Sequence, residues 1–188
     1  MMKDALEEAI RKYIDPTQDE MDKILQYFVV KDIPKGKYFS KSGQINNELA
    51  FIIKGCFRGY WEHEHDEISG GFAFENEFFC DISSFISQKP SVFGIQAIED
   101  TTILYITHKE MDKLFLEVPI FERFIRKFWE NVIGALVNSV NSFRTETAEQ
   151  RYARAMQHPK LLQRVPLKYL SSFLGITPTS LSRLRKRK

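Results

Sequence analysis

Leu167, Leu170 and Leu174 stand three and four residues apart near the end of the chain, with Lys168, Ser171 and Ser172 between them. That spacing predicts a short helix with one apolar face. Gly175 can take the positive φ that ends such a helix in a tight turn. Thr177 can cap a second helix, with Pro178 suited to its first position. Leu181 and Leu184 then face back to the first helix, leaving Thr179, Ser180, Ser182 and Arg183 on other faces. Residues 167–188 thus predict a helix-turn-helix ending in a basic run. A second helix that presents short polar residues and Arg in the major groove is how that motif reads DNA. The competing reading is an ordinary helical hairpin with a solvated basic tail.

The same reading extends upstream. Residues 3–29 predict helices: Leu6, Ile10 and Ile14 share a face, Asp15-Pro16 breaks the pattern, and Thr17 caps a run through Met21, Ile24, Leu25 and Phe28. From Ile33 to Ile106 short β-rich runs alternate with turn signals, an all-β signature. The runs are Tyr38-Phe39, Leu49–Ile53, Cys56–Trp61, Gly70–Phe74, Ser91–Ile98 and Thr102–Ile106. Seven of the nine glycines fall between 36 and 94, as a small roll with tight corners needs. Glu62–Glu67 reads as a solvated hairpin tip. From Lys109 the period is helical: Phe121, Ile125, Phe128, Val132, Leu136, Val140 and Phe143 step by three or four, and Phe124, Trp129, Ile133 and Val137 widen the stripe. Such a helix is too apolar to be solvated all round. Part of it should pack on the β domain and the rest on a second copy of the chain. Thr145–His158 predicts another helix, ended by Pro159.

Charge sharpens this picture. The chain's net charge of +2 hides an asymmetry: residues 144–188 carry eleven Lys or Arg against Glu146 and Glu149, and the preceding residues are net acidic. A basic tail on an acidic body points to a polyanion met by the tail alone. No run of eighteen apolar residues exists, so no membrane span is expected, and the charged N-terminus does not read as a secretory signal. A cytoplasmic protein is the simplest reading. Cys56 and Cys80 are the only cysteines, free to pair or not. They are too few for a four-thiolate iron–sulfur site.

A β-roll, a long helix and a C-terminal helix-turn-helix, in that order, resemble the Crp/Fnr family of regulators. Ile33-Pro-Lys-Gly36-Lys-Tyr-Phe39-Ser-Lys-Ser-Gly43 is similar to the opening strand pair of a cyclic-nucleotide-binding roll, Phe51–Tyr60 to the next pair, and Ile95–Thr102 to the closing strands. Leu170, Leu174, Gly175, Ile176, Leu181, Arg183 and Leu184 sit where the family's helix-turn-helix wants them. The style of Ala148–Tyr152 and Gly175–Pro178 is similar to short Crp-like regulators of Bacteroidetes. The resemblance implies an α+β fold: a double-stranded β-helix sensor roll with N-terminal helices over 1–116, a dimerisation helix over 117–144, and a DNA-binding domain over 145–188. It implies a homodimer on palindromic double-stranded DNA, RNA polymerase as a possible partner, and no membrane. It places a ligand pocket at Phe78, Phe79, Cys80, Asp81, Ile82, Ser83, Pro90 and Ser91. The family's nucleotide binders carry Gly-Glu there for the ribose and an Arg for the phosphate. This chain has Cys80-Asp81 and Ser91 instead, so cyclic AMP binding is not expected and the effector is left unknown.

Within the helix-turn-helix, Thr177, Thr179, Ser180, Ser182 and Arg183 are the candidate DNA-reading residues, with Arg185, Lys186, Arg187 and Lys188 for phosphates. The family's Arg-Glu pair at the start of the second helix is Pro178-Thr179 here. Two rivals stand beside the regulator. One is a small-molecule signalling module without sequence-specific DNA binding. The other is a cupin-like metal enzyme on His63-Glu-His65, but positions 69 and 70 are Ser and Gly, and the next His is His108. No catalytic constellation, resident cofactor or metal site is expected.

Overall fold

The computed structural model describes residues 2–64 and 66–186. Two helices open it, α1 (Met2–Arg11) and α2 (Gln18–Gln26). The Thr17 hydroxyl accepts the Glu20 N–H while the Glu20 carboxylate accepts the Thr17 N–H, a reciprocal cap that fixes the start of α2. The helical reading through residue 29 overshoots, because α2 ends at Gln26 and Val29 already opens β1 (Val29–Ile33). The roll continues with β2 (Tyr38–Ser40), β3 (Glu48–Lys54), β4 (Phe57–His63), β5 (Asp66–Ala73), β6 (Phe78–Phe79), the short helix α3 (Ile82–Ser87), β7 (Phe93–Ala97) and β8 (Thr101–Thr107).

These strands form two antiparallel four-stranded sheets, in the orders β1-β8-β3-β6 and β2-β7-β4-β5. Ile52, Phe57, Ile95 and Ile103 pack between them. A strand alternates its side chains between faces, and β4 uses both. Phe57 and Trp61 face the roll interior, meeting Phe39 and Phe93 respectively. Arg58 and Tyr60 face outward, Arg58 lying over both Tyr60 and Tyr169. The β4–β5 hairpin is paired up to His63 and Asp66, so its tip is shorter than the Glu62–Glu67 predicted. His65, the second His of the cupin reading, lies outside the described residues.

Four-residue-spaced apolar positions then build α4 (His108–Glu117) and α5 (Ile120–Thr145). Phe121, Phe124 and Ile125 are buried in a core shared with α1, α2 and β3. Beyond Trp129 the helix leaves the roll: Ile133, Leu136, Val137, Val140 and Phe143 are each 49–58% exposed. The tail is α6 (Ala148–Ala155), α7 (Pro159–Arg164), α8 (Leu167–Leu174) and α9 (Pro178–Lys186). Pro159 therefore starts a helix where the sequence reading had it end one. Its fixed φ and missing N–H suit a first helical turn, whose N–H groups have no partner anyway. The tail does not make its core alone. Leu161, Val165, Leu170 and Leu181 pack in one cluster with Cys56, Phe74 and Ile98 of the roll. Both cysteines are free and buried, and burial pushes both thiols up, so neither is a reactive thiolate.

Candidate functional site

Two surfaces carry chemistry. The first is the α8–α9 pair. Gly175 ends α8 at φ 68°, in the left-handed region where glycine costs least. The Thr177 hydroxyl accepts the Ser180 N–H at 3.1 Å, capping α9. Leu170, Leu174 and Leu181 are buried between the helices. Thr179, Ser180, Arg183, Arg185 and Lys186 are exposed, and Ser182 is half-buried. Thr179, Arg183 and Lys186 share one face by their spacing of four and three. Arg187 and Lys188 lie outside the described residues.

The tail's positive charge is divided. Arg151 donates to the Leu174 and Glu146 carbonyls, and Arg154 to Ser142 and Glu146. Arg164 reaches back to the roll, 2.7 Å from Glu75, 2.5 Å from Glu99 and 3.0 Å from the Gly55 carbonyl, and Lys160 adds a contact to Glu75 at 2.9 Å. These cations hold the tail together and to the roll. Arg144, Lys168, Arg183, Arg185 and Lys186 remain exposed for an outside anion.

The Arg164 guanidinium holds the Glu75 carboxyl well below the usual carboxylate range. A depressed carboxylate stabilises the fold above its unfolded pKa, and that stabilisation is lost as pH falls through the folded value. Glu75→Gln should therefore cost on the order of 1–2 kcal/mol at pH 7, discounted for partial exposure. The difference from wild type should shrink below the ordinary carboxylate range. Thermal melts of both proteins from pH 7 to pH 2 check it; a pH-independent difference would rule out this linkage.

The second surface is a cavity of about 770 Å³ between β4–β7, α3 and α5. It gathers all eight pocket positions named from the sequence: Phe78, Phe79, Cys80, Asp81, Ile82, Ser83, Pro90 and Ser91. Asp81 caps α3, accepting the Ser83 N–H at 3.1 Å, while its own N–H donates to Asn46 at 2.7 Å. The Ser91 hydroxyl donates to the other Asp81 oxygen, and the Phe93 N–H donates to that hydroxyl at 2.7 Å. Asp81 and Ser91 are thus bonded to each other. Sequence reasoning missed the aromatic walls. Trp61 and Phe93 come from β4 and β7, and Phe128, Trp129, Val132 and Leu136 from α5. The period of two in β4 and the helical stripe were the available signals.

Residues 30–117 match the cyclic nucleotide-binding domain family. CLP of Xanthomonas campestris, a c-di-GMP responsive global regulator, superposes with TM-score 0.71 at 16% identity, over 91% of both chains. FixK2 of Bradyrhizobium japonicum gives TM-score 0.69 at 17% identity, over 85% of this chain and 83% of that one. The catabolite activator protein of Thermus thermophilus gives 0.61 at 19%, over 95% and 85%. The fold is that of a Crp/Fnr-like regulator. No curated protein sequence matches the chain significantly. In this Crp/Fnr-like fold the cavity lies in the roll against α5, the long helix between roll and tail. Among the described residues no cluster of His, Cys, Asp or Glu is placed to hold a metal ion, and no helix is long and apolar enough to cross a membrane.

Proposed function

We propose that this chain is a DNA-binding transcriptional regulator and not an enzyme, acting in the cytoplasm as a homodimer on a palindromic site. The observation that carries this is α9: a capped helix, anchored by one buried leucine, whose polar and basic side chains meet solvent. The half-exposed stripe of α5 is the proposed seam with the second copy. Two reading heads related by a two-fold axis would take half-sites about one helical turn apart, roughly 34 Å. RNA polymerase is the further partner this role calls for. The effector is not cyclic AMP in this reading. Ser91 cannot neutralise a phosphate, and it is already bonded to Asp81. CLP, which shares the fold, responds to c-di-GMP.

Selection of binding sites from random duplex DNA tests the proposal. An enriched palindrome is expected; a failure to enrich any motif would favour a signalling module without specific DNA binding. The two residue classes then separate. Arg183→Ala should weaken the selected site by about 1–3 kcal/mol and relax preference at one base position. Lys186→Ala should weaken all sequences alike and lower the salt slope by roughly one. Equal losses on selected and random DNA for Arg183→Ala would make Arg183 a phosphate clamp.

A further inference from the structure

The cavity that would hold a nucleotide is walled for a different chemistry. Trp61, Phe78, Phe79, Phe93, Phe128 and Trp129 surround it. Among the described residues no arginine lines it, and its one cation, Lys89, is exposed. Its charged wall group is the Asp81 carboxylate, which has no ion-pair partner among the described residues. An anion entering would lose its hydration, find no guanidinium and face that carboxylate, which is costly in an apolar site. The size is right for a small organic ligand, since such pockets run from about 300 to 1,000 Å³ with mostly apolar walls and few polar groups. Glycines keep the space open. A Cβ on Gly59 or Gly70 would collide with the Phe93 or Trp61 ring, whereas one on Gly71 would meet nothing within 4 Å. Gly71 pairs with Gly59 across the hairpin, on the face that looks into the cavity.

We infer that the cavity binds an uncharged, ring-bearing, largely apolar small molecule with a hydrogen-bond donor for the Asp81–Ser91 corner. This rests on the reading of the roll as the sensor of a regulator. The chain reports on the site by itself, because Trp61 and Trp129 are its two tryptophans and both line the cavity.

The test is titration of the full-length protein with N-phenyl-1-naphthylamine, an uncharged amine with two ring systems. 1-Anilinonaphthalene-8-sulfonate carries the same rings plus a sulfonate and serves as its matched anion. The neutral probe should quench tryptophan emission saturably, one per chain, and bind about tenfold or more tightly than the anion for want of a compensating cation. Cyclic AMP should not displace it. Gly71→Leu should abolish binding with the circular dichroism spectrum unchanged, and Gly71→Ala should retain it. Gly71→Val replaces the leucine variant if that one does not fold. Equal affinity for both probes, displacement by cyclic AMP, or binding undiminished in a folded Gly71→Leu or Gly71→Val would overturn the inference. Affinity for the selected DNA, with and without the neutral probe, separates the two readings. Probe binding that leaves DNA affinity unchanged supports the ligand class and overturns the sensor role. Specific DNA binding with no probe binding leaves the regulator standing and overturns the ligand class.

Discussion

Val137→Glu combined with Val140→Glu is expected to leave the chain monomeric at micromolar concentration, where wild type should sediment at about twice its 22.1 kDa mass. Both valines lie on the half of α5 that the roll does not cover, 54% and 56% exposed. Neither lines the large cavity, unlike Val132 and Leu136, so the substitution leaves the cavity alone. In a monomer the glutamates meet water and cost little. In a dimer they would be desolvated without partners, and an uncompensated buried charge is strongly destabilising. The variant should fold normally, with an unchanged far-ultraviolet spectrum, and should lose DNA affinity by about 10²–10⁴-fold as the two reading heads cease to act together. Sedimentation and a DNA titration check both halves. A wild-type protein that sediments as a monomer would remove the seam altogether.

The second large effect concerns the fold. Phe124→Ala should destabilise it by about 3–5 kcal/mol, the usual cost of deleting a buried ring. For a chain of this size that is roughly 6–20 °C in Tm. Phe124 is fully buried and touches rings from three directions: Tyr13 from the turn between α1 and α2, Phe78 from the roll, and Phe121 and Phe128 along α5. The four rings it meets are rigid and fill such a gap poorly. Because Phe78 and Phe128 also wall the cavity, the variant should loosen its walls as well. A denaturant melt decides; a loss below about 1 kcal/mol would mean the neighbours collapse into the hole.

Elements with strong periodicity were legible in the sequence. The stripe of α5, the glycine-rich roll and the Leu170–Gly175–Leu181 turn each follow one period of 3.6 or 2, or one backbone demand. Boundaries were less so where one residue serves two roles. Pro159 reads equally as a stop or a start, and only the packing of Leu161 against the roll decides for a start. Val29 continues an apolar helical pattern, yet its backbone pairs with Tyr105, a partner 76 positions away that no local pattern reports. Position 81 was readable as a departure from a nucleotide-binding pattern. Its bond to Ser91 was not, because the two meet only when α3 folds back beside β7. The basic tail was legible as charge but not as allocation: Arg151, Arg154 and Arg164 are spent on inward contacts that the count cannot distinguish from free ones.

β4 stands between the cavity and α8, one face to each. Trp61 looks inward to the cavity. Arg58, with no exposed surface, looks outward, holding Ser69 and Glu67 and lying 3.9 Å over Tyr169 of α8. Ser172 of α8 in turn accepts the Ser69 N–H on β5. Inserting one residue into a strand sends every side chain beyond it to the opposite face. In β4 that exchange would aim a guanidinium at the cavity and an indole at the helix. Lineages carrying this protein should therefore tolerate substitutions along β4 far better than single-residue gains or losses, and any length change there should come in pairs.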